Sequence, residues 1–273
     1  MSFRPVLPLG GYAGWRFLAR TAERQRALVA EAPGIERETA AFRARIGQVT
    51  SAEALVADRQ LLKVALGAFG LDADLNNRAF IRKVLESTSG DGRALASRLA
   101  DKRYLEFAQA FGFAEPGGPF NRTSAFAERL IARYETRQFE VAVGEQDETM
   151  RLALSAEREL ESLASGSSSK NALWFSVMGN PPLRKVFETA LGLPASFGAL
   201  DLDRQLEVFR EKTGRALGEG EIAQFAEAGK REDLVRLFLL RSELRQSPLA
   251  SRASTALTLL QSAPRIGPSD RSG

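Results

Sequence analysis

An amphipathic segment that occurs three times constrains the fold of this chain more than any other feature. The copies are ADRQLLKVALGAFGL at residues 57–71, ADKRYLEFAQAFGF at 100–113 and LRKVFETALGL at 183–193. In each copy, apolar residues recur at helical spacing, and a glycine followed by another apolar residue comes at the end. Glycine favours the left-handed backbone that ends many helices. The repeat therefore predicts three similar helices, and we expect them to bury their apolar faces together.

The rest of the sequence has no sustained polar-apolar alternation that would require a β-sheet, so the predicted fold is all-α and multi-helical. The strongest helix-breaking stretch is EPGGPF at residues 115–120. We predict two helical lobes there, an N-terminal lobe at 1–115 and a C-terminal lobe at 116–247. Residues 248–273, poor in large apolar side chains, are predicted to form a flexible tail.

Residues 123–164 contain no proline, and apolar side chains recur along them. They are predicted to form one long helix, or a pair broken near Gly144, that serves as a spine connecting the lobes. Capping patterns place other helix ends. Thr50 and Glu53 have the spacing of a capping box, which predicts the start of the helix in the first copy. Asp201 predicts the start of a later helix, and Gly214 its end.

The chain has 273 residues, and none of them is cysteine or histidine. This composition excludes disulfides, thiolate or imidazole metal ligands, and catalysis by Ser-His-Asp or Cys-His groups. We predict no cofactor and no metal. No window approaches 18 uninterrupted apolar residues, so we expect no membrane span. The N-terminus lacks the long apolar run and the cleavage site of a secretory signal peptide.

The formal net charge is +4, from 38 basic and 34 acidic side chains. An excess of arginine is typical of proteins that bind nucleic acid, but here the basic residues are scattered and form no dense run. A codon bias towards arginine and alanine would give the same composition. Nucleic acid is therefore not the favoured partner.

The N-terminal motif GGYAGWR covers residues 10–16. Its glycines follow no predicted strand and lack the spacing and the lysine of a phosphate-binding loop, so they predict a structural bend. Tyrosine, tryptophan and arginine are the residue types most used as anchors in protein interfaces. Tyr12, Trp15 and Arg16 are therefore the candidate protein-binding residues. No spacing of acidic or lysine residues indicates a catalytic group.

Four stretches carry a resemblance that spans most of the chain: GYAGWRFL, SAEALVADRQLLKVALGAFGLDADLNNRAFIRKVLES, LADKRYLEFAQAFGF and RKVFETALGLPASFGALDLDRQ. With these, the chain resembles a bacterial domain-of-unknown-function family of helical proteins whose members are often encoded among flagellar genes. The resemblance implies an all-helical fold and a role in flagellar assembly or motility. It implies no catalytic residue.

The favoured hypothesis is a non-enzymatic helical protein, cytoplasmic or flagellum-associated, that binds another protein such as a flagellar component. Two alternatives stay open. An enzyme of a class that uses neither histidine nor cysteine would need a closed polar pocket lined by acids or lysines with shifted pKa values. A weak nucleic-acid binder would need an arginine stripe on one face.

Overall fold

The computed structural model describes residues 3–88 and 90–246, and within them it contains thirteen α-helices and no β-strand. The predicted all-α fold is therefore confirmed. The predicted tail at 248–273 lies outside the described residues. The helices are α1 (Gly11–Ala30), α2 (Pro33–Arg45), α3 (Ala52–Ala57), α4 (Arg59–Phe69), α5 (Arg78–Leu85), α6 (Leu95–Arg98), α7 (Arg103–Phe111), α8 (Ser124–Gly144), α9 (Glu148–Ala164), α10 (Lys170–Met178), α11 (Pro181–Ala190), α12 (Leu202–Leu217) and α13 (Ala228–Gln246).

All three copies of the repeat form helices, α4, α7 and α11, and a left-handed glycine follows each of them, directly after α4 and α7 and after Leu191 at the end of α11. The φ angles are +67° at Gly70, +60° at Gly112 and +65° at Gly192. After the first copy, the Leu71 N–H donates to the Leu66 carbonyl oxygen at 3.0 Å, which satisfies a carbonyl that has no partner within the helix. The predicted role of these glycines is confirmed.

The helices enclose two clusters of buried apolar side chains. The first cluster is drawn from residues between Phe42 and Tyr134. The second cluster is drawn from α1 and from residues between Phe139 and Leu239. Helices α4 and α7 lie in the first cluster and α11 lies in the second, so the expectation that the three copies pack together is wrong. The repeated pattern specifies a capped amphipathic helix, which is a local structure, and does not specify a packing partner.

Helix α8 joins the two clusters. Its first half contributes Phe126 and Tyr134 to the first cluster, and its second half contributes Phe139 and Val143 to the second. After Gly144 the chain turns, and α9 packs back against α8. Residues 123–164 therefore form the predicted alternative, a pair of helices broken near Gly144, and the single long helix is not formed. Helix α8 alone contributes to both clusters, whereas α9 packs in the second.

The turn after α8 ends because Asp147 caps the next helix. The Asp147 carboxylate accepts hydrogen bonds from the backbone N–H groups of Thr149 at 2.8 Å and Met150 at 3.2 Å. The predicted division into lobes at 1–115 and 116–247 stays a prediction. The two clusters cross that boundary, because α1 packs in the second cluster and the first half of α8 packs in the first.

Two predicted helix boundaries, one start and one end, differ from those in the structure. The residue that caps α3 is Ser51, whose hydroxyl accepts from the Ala54 N–H at 3.1 Å, and α4 starts separately at the cap of Asp58. Thr50 is therefore not the cap, and one predicted helix is two. Asp201 caps α12 as predicted, but the helix continues past Gly214 to Leu217. Glycine is tolerated inside a helix at a cost of about 1 kcal/mol relative to alanine.

Across the described ranges, no helix combines the length and the apolar character that crossing a bilayer would need.

Candidate functional site

A cleft of about 450 Å³ lies between α1, α8 and α9, beside Glu232 near the start of α13. This volume falls in the range of ligand-binding clefts, about 300–1,000 Å³. The apolar part of its lining consists of Trp15, Ala19, Ala22, Phe139 and Leu154. The charged part consists of Glu23, Arg26, Glu140, Glu157, Arg158, Glu161 and Glu232. Thr136 completes the lining.

A larger depression, of about 820 Å³, lies along α5 and the loop that follows it. Its wall includes Ser87 and Thr88, which adjoin residue 89, a position that the structure does not describe. Its outline is therefore incomplete, and it forms no candidate site.

The apolar floor of the cleft results from small side chains on α1. Ala19 and Ala22 lie three residues apart, on the same face of the helix, and their methyl groups leave space between α1 and its neighbours. Beneath them, Trp15 is 1% exposed and Phe139 is 3% exposed, and both belong to the second cluster. The cleft therefore has a rigid, well-packed base.

On one side of the cleft, the carboxylate of Glu140 is paired with Arg158. Glu140 is 5% exposed and accepts hydrogen bonds from Arg158 Nε at 2.7 Å and Nη2 at 3.2 Å. Burial lowers the pKa of Arg158, but the charges of Glu140 and Glu159 outweigh burial and hold this pKa above its ordinary value. Glu140 is thus neutralised by a fixed partner and is not available to a ligand.

The other side carries three carboxylates, Glu157, Glu161 and Glu232, which we call the carboxylate trio. The guanidinium of Arg231 lies nearby, with Nε 3.9 Å from Glu157 Oε1 and Nη2 3.6 Å from Glu161 Oε1. Both separations are too long for hydrogen bonds. Burial raises the pKa of Glu157, and the like charges of Glu232 and Glu161 raise it further, against the opposing effect of Arg231. The trio therefore holds negative charge that the protein only partly balances.

Replacing Glu157 by glutamine is expected to raise the melting temperature at pH 7. A carboxyl group whose pKa is higher in the folded than in the unfolded protein costs stability once it is ionised, so stability falls as the pH rises through the ordinary value of 4.5 and above. Calorimetry at pH 7 and at pH 4 tests this. The stabilisation should be present at pH 7 and absent at pH 4, and a lower melting temperature at pH 7 would contradict the described environment of Glu157.

Of the three predicted site residues, Trp15 belongs to the lining of the cleft, and Tyr12 and Arg16 lie at one end of it, where both contact Glu232. The Tyr12 hydroxyl donates to Glu232 Oε1 at 2.7 Å, and Arg16 Nη1 donates to the same oxygen at 2.8 Å. These two donors, first Tyr12 and then Arg16, lower the pKa of Glu232. Trp15 lies beneath the cleft, is 1% exposed and packs in the second cluster. Its role in binding a protein stays a prediction.

Sequence reasoning missed the residues that α8 and α9 bring to the cleft. Glu157 and Glu161 are four residues apart and therefore share one face of α9, where two like charges disfavour each other by a few tenths of a kcal/mol. The four-residue spacing of these two glutamates is the signal in the sequence that could have indicated a shared acidic face. The approach of α9 to α1 depends on tertiary packing, which no local pattern encodes.

Several arginines point inwards, towards backbone carbonyl groups at helix C-termini. Arg103 Nη1 donates to the Gly70 carbonyl oxygen at 2.6 Å, and Arg241 Nη1 donates to that of Ala190 at 2.5 Å. A cation at this position also meets the negative end of the helix dipole. These contacts explain part of the basic composition without a nucleic-acid partner, whose absence stays a prediction.

No group of three or more acidic side chains within residues 3–88 and 90–246 is arranged to hold a metal ion.

The fold and the cleft define an all-helical protein with an acid-rimmed cleft. Residues 68–230, more than half of the chain, match the family model described as a protein of unknown function, DUF1217, and the chain belongs to this family. The predicted membership of a family of unknown function is thereby confirmed, whereas the flagellar link stays a prediction. None of the curated proteins matches the chain.

The fold is similar to the X-ray crystal structure of protein AGR_C_984 from Agrobacterium tumefaciens. The two chains are 27% identical, and the match covers 90% of this chain and 100% of that chain with a TM-score of 0.72.

Proposed function

We propose that this protein is a non-enzymatic helical protein that binds another protein, and that the partner docks in the cleft. The observation that carries the proposal is the lining of the cleft, an apolar floor edged by charged side chains between closely packed helices. An apolar centre with a polar rim is the usual composition of a protein interface. Tyr12 and Arg16, at the end of the cleft, would contact the partner from the rim.

We further propose that the partner is a flagellar component, which places the protein in the cytoplasm or at the flagellum. This part of the proposal rests on the resemblance of the sequence to a family often encoded among flagellar genes. Deleting the gene in the bacterium that encodes it should reduce swimming in soft agar, and the wild-type gene should restore it. A deletion strain that swims normally would contradict the flagellar proposal.

Filling the cleft tests the site itself. Ala19 is exposed and lines the cleft, so Ala19→Trp should block docking without disturbing the core. Ala27→Trp is the matched control, because Ala27 is also exposed on α1 but does not line the cleft. Both variants should keep their stability within about 0.5 kcal/mol of wild type. In the deletion strain, Ala27→Trp should restore swimming and Ala19→Trp should not; equal restoration would remove the cleft from the proposal.

The enzyme alternative has one observation in its favour, which is the raised pKa of Glu157 in a cleft of ligand size. Buried carboxyl groups with raised pKa values are typical general acids. Chromogenic ester, phosphate and glycoside substrates provide a direct test. Turnover by the wild-type protein that is lost in Glu157→Gln would establish the enzyme, and turnover that persists in this variant would indicate a contaminant.

A further inference from the structure

The carboxylate trio indicates which kind of partner the cleft accepts. We propose that the partner is a basic amphipathic segment, which places a lysine or arginine against the trio and an apolar side chain on the cleft floor. This inference rests on the proposed function, because it concerns the same cleft.

The first argument is that two carboxylates of the trio, Glu157 and Glu161, can still accept hydrogen bonds. No described residue donates a hydrogen bond to the side-chain carboxylate of Glu157 or Glu161. Their neighbour Arg231 is 7% exposed, and its Nη1 donates to the carbonyl oxygens of Phe225 at 2.8 Å and Ala226 at 3.0 Å. The guanidinium therefore donates to backbone carbonyl oxygens and approaches the two carboxylates at 3.9 and 3.6 Å without a hydrogen bond to either. The ammonium of a lysine and the guanidinium of an arginine carry donors only, and therefore match such acceptors.

The second argument is charge. The lining contains five glutamates and two arginines, and Arg158 is already committed to Glu140. Arg16 pairs with Glu232, and Arg231 lies 3.9 Å from Glu157 and 3.6 Å from Glu161, so five glutamates face four arginines and the cleft keeps a net charge of −1. A positively charged partner would be attracted during its approach and bound in one orientation.

The third argument is the apolar floor, which a free cation would leave unused. Leu154 is half-buried and Ala19 is exposed, and both lie in the same cleft as the trio. A segment that buries an apolar side chain here gains about 25 cal/mol for each Å² removed from water. The stem of a lysine or arginine adds to this apolar contact. The combination of floor and trio therefore fits a peptide segment better than a metal ion.

The test uses two synthetic amphipathic helical peptides that share a leucine face. The polar face of one carries arginine, and the other carries glutamine at the same positions. Binding is followed by NMR through the indole N–H signals of the chain's two tryptophans. Trp15 lies beneath the cleft, and Trp174, whose Nε1 donates to the Gly220 carbonyl oxygen at 3.0 Å, serves as the internal control.

The arginine peptide is expected to shift the Trp15 signal and leave the Trp174 signal in place, and to bind roughly tenfold more tightly than the glutamine peptide. Its affinity should fall as salt rises, because salt screens exposed charges. The double variant Glu157→Gln, Glu161→Gln should remove this tenfold preference. Equal affinities for the two peptides, or no shift at Trp15 with either, would overturn the inference.

A matched control removes the effect of net charge. Glu207 and Glu211 are also four residues apart, exposed and paired with arginines, but lie on α12 outside the cleft. Their replacement by glutamine should leave the arginine preference intact, and an equal loss there would overturn the inference by making the effect non-local.

The experiments separate a failure of this inference from a failure of the proposed function. If Ala19→Trp does not restore swimming in the deletion strain but the two peptides bind equally, the cleft is still the docking site, and only its preference for a basic partner is wrong.

Discussion

Replacing Glu159 by glutamine is expected to destabilise the protein by about 3 kcal/mol, because breaking a buried ion pair leaves its partners unbalanced. Glu159 Oε1 accepts hydrogen bonds from Arg137 Nη2 and from Arg158 Nη1, each at 2.8 Å. The side chains of Arg137 and Glu159 are 9% and 16% exposed. Burial lowers the pKa of Arg137, but an arginine side chain stays protonated at ordinary pH. Arg137 therefore remains charged when its partner is removed. The largely buried Arg137 would lose its carboxylate partner, and Arg158 would keep only Glu140.

Thermal unfolding followed by circular dichroism measures the effect, which should appear as a fall in melting temperature of roughly 6–12 °C. Glu207→Gln is the control, since the pair of Arg204 and Glu207 is exposed and should contribute less than about 1 kcal/mol. Equal effects of the two substitutions would contradict the described network.

The pH dependence of this loss follows from Glu159 itself. Burial raises its pKa, but Arg158 and Arg137 outweigh burial and hold the pKa below the ordinary value of 4.5. A carboxylate with a depressed folded pKa contributes stability above its unfolded pKa and loses it as the pH falls through its folded pKa. The difference between wild type and Glu159→Gln should therefore be full at pH 7 and shrink below pH 4.5. A difference that grows on acidification would contradict the direction of the shift.

Replacing Gly70 by alanine is expected to destabilise the protein by about 2 kcal/mol or more. Gly70 has a φ of +67°, where a residue with a side chain is strained by about 1–3 kcal/mol. Its Cβ would also lie 2.7 Å from Arg137 Nη1, so the arginine would have to move. Arg137 Nε donates to the Ala68 carbonyl oxygen at 3.2 Å, and this contact would be disturbed as well.

Gly92→Ala is the matched control, because a Cβ at Gly92 meets no atom within 4 Å and Gly92 is not among the positive-φ glycines. Its melting temperature should stay close to that of wild type. Gly70→Ala and Glu159→Gln both act on Arg137, so their combined effect should be smaller than the sum of the single effects. Additive losses would show that the cap of α4 and the ion network are independent.

The ends of the repeated helices were predictable because their cause is local. A glycine that follows an apolar helical face and precedes another apolar residue has one common structural solution, and Gly70, Gly112 and Gly192 all adopt it. The same reasoning placed the end of α12 at Gly214, where the structure continues the helix to Leu217. There, packing of the helix overrides the weak helix propensity of glycine.

The cleft was only partly predictable. The motif at residues 10–16 drew attention to Tyr12 and Arg16, which lie at its end, but the trio comes mostly from α9, more than a hundred residues away in sequence. Residue type made Trp15 a candidate for protein binding, and the structure shows that it is 1% exposed. Residue type alone does not separate a core tryptophan from an interface tryptophan, because both occupy one apolar face of a helix.

The central claim is that another protein docks in the cleft, and photo-cross-linking in living cells tests it most directly. A photoreactive amino acid is incorporated in place of Ala19, which lines the cleft, or of Ala27, which is exposed elsewhere on α1. From position 19 we expect a covalent adduct with one flagellar protein, and from position 27 none. Adducts of equal yield from both positions, or none from position 19, would contradict the claim.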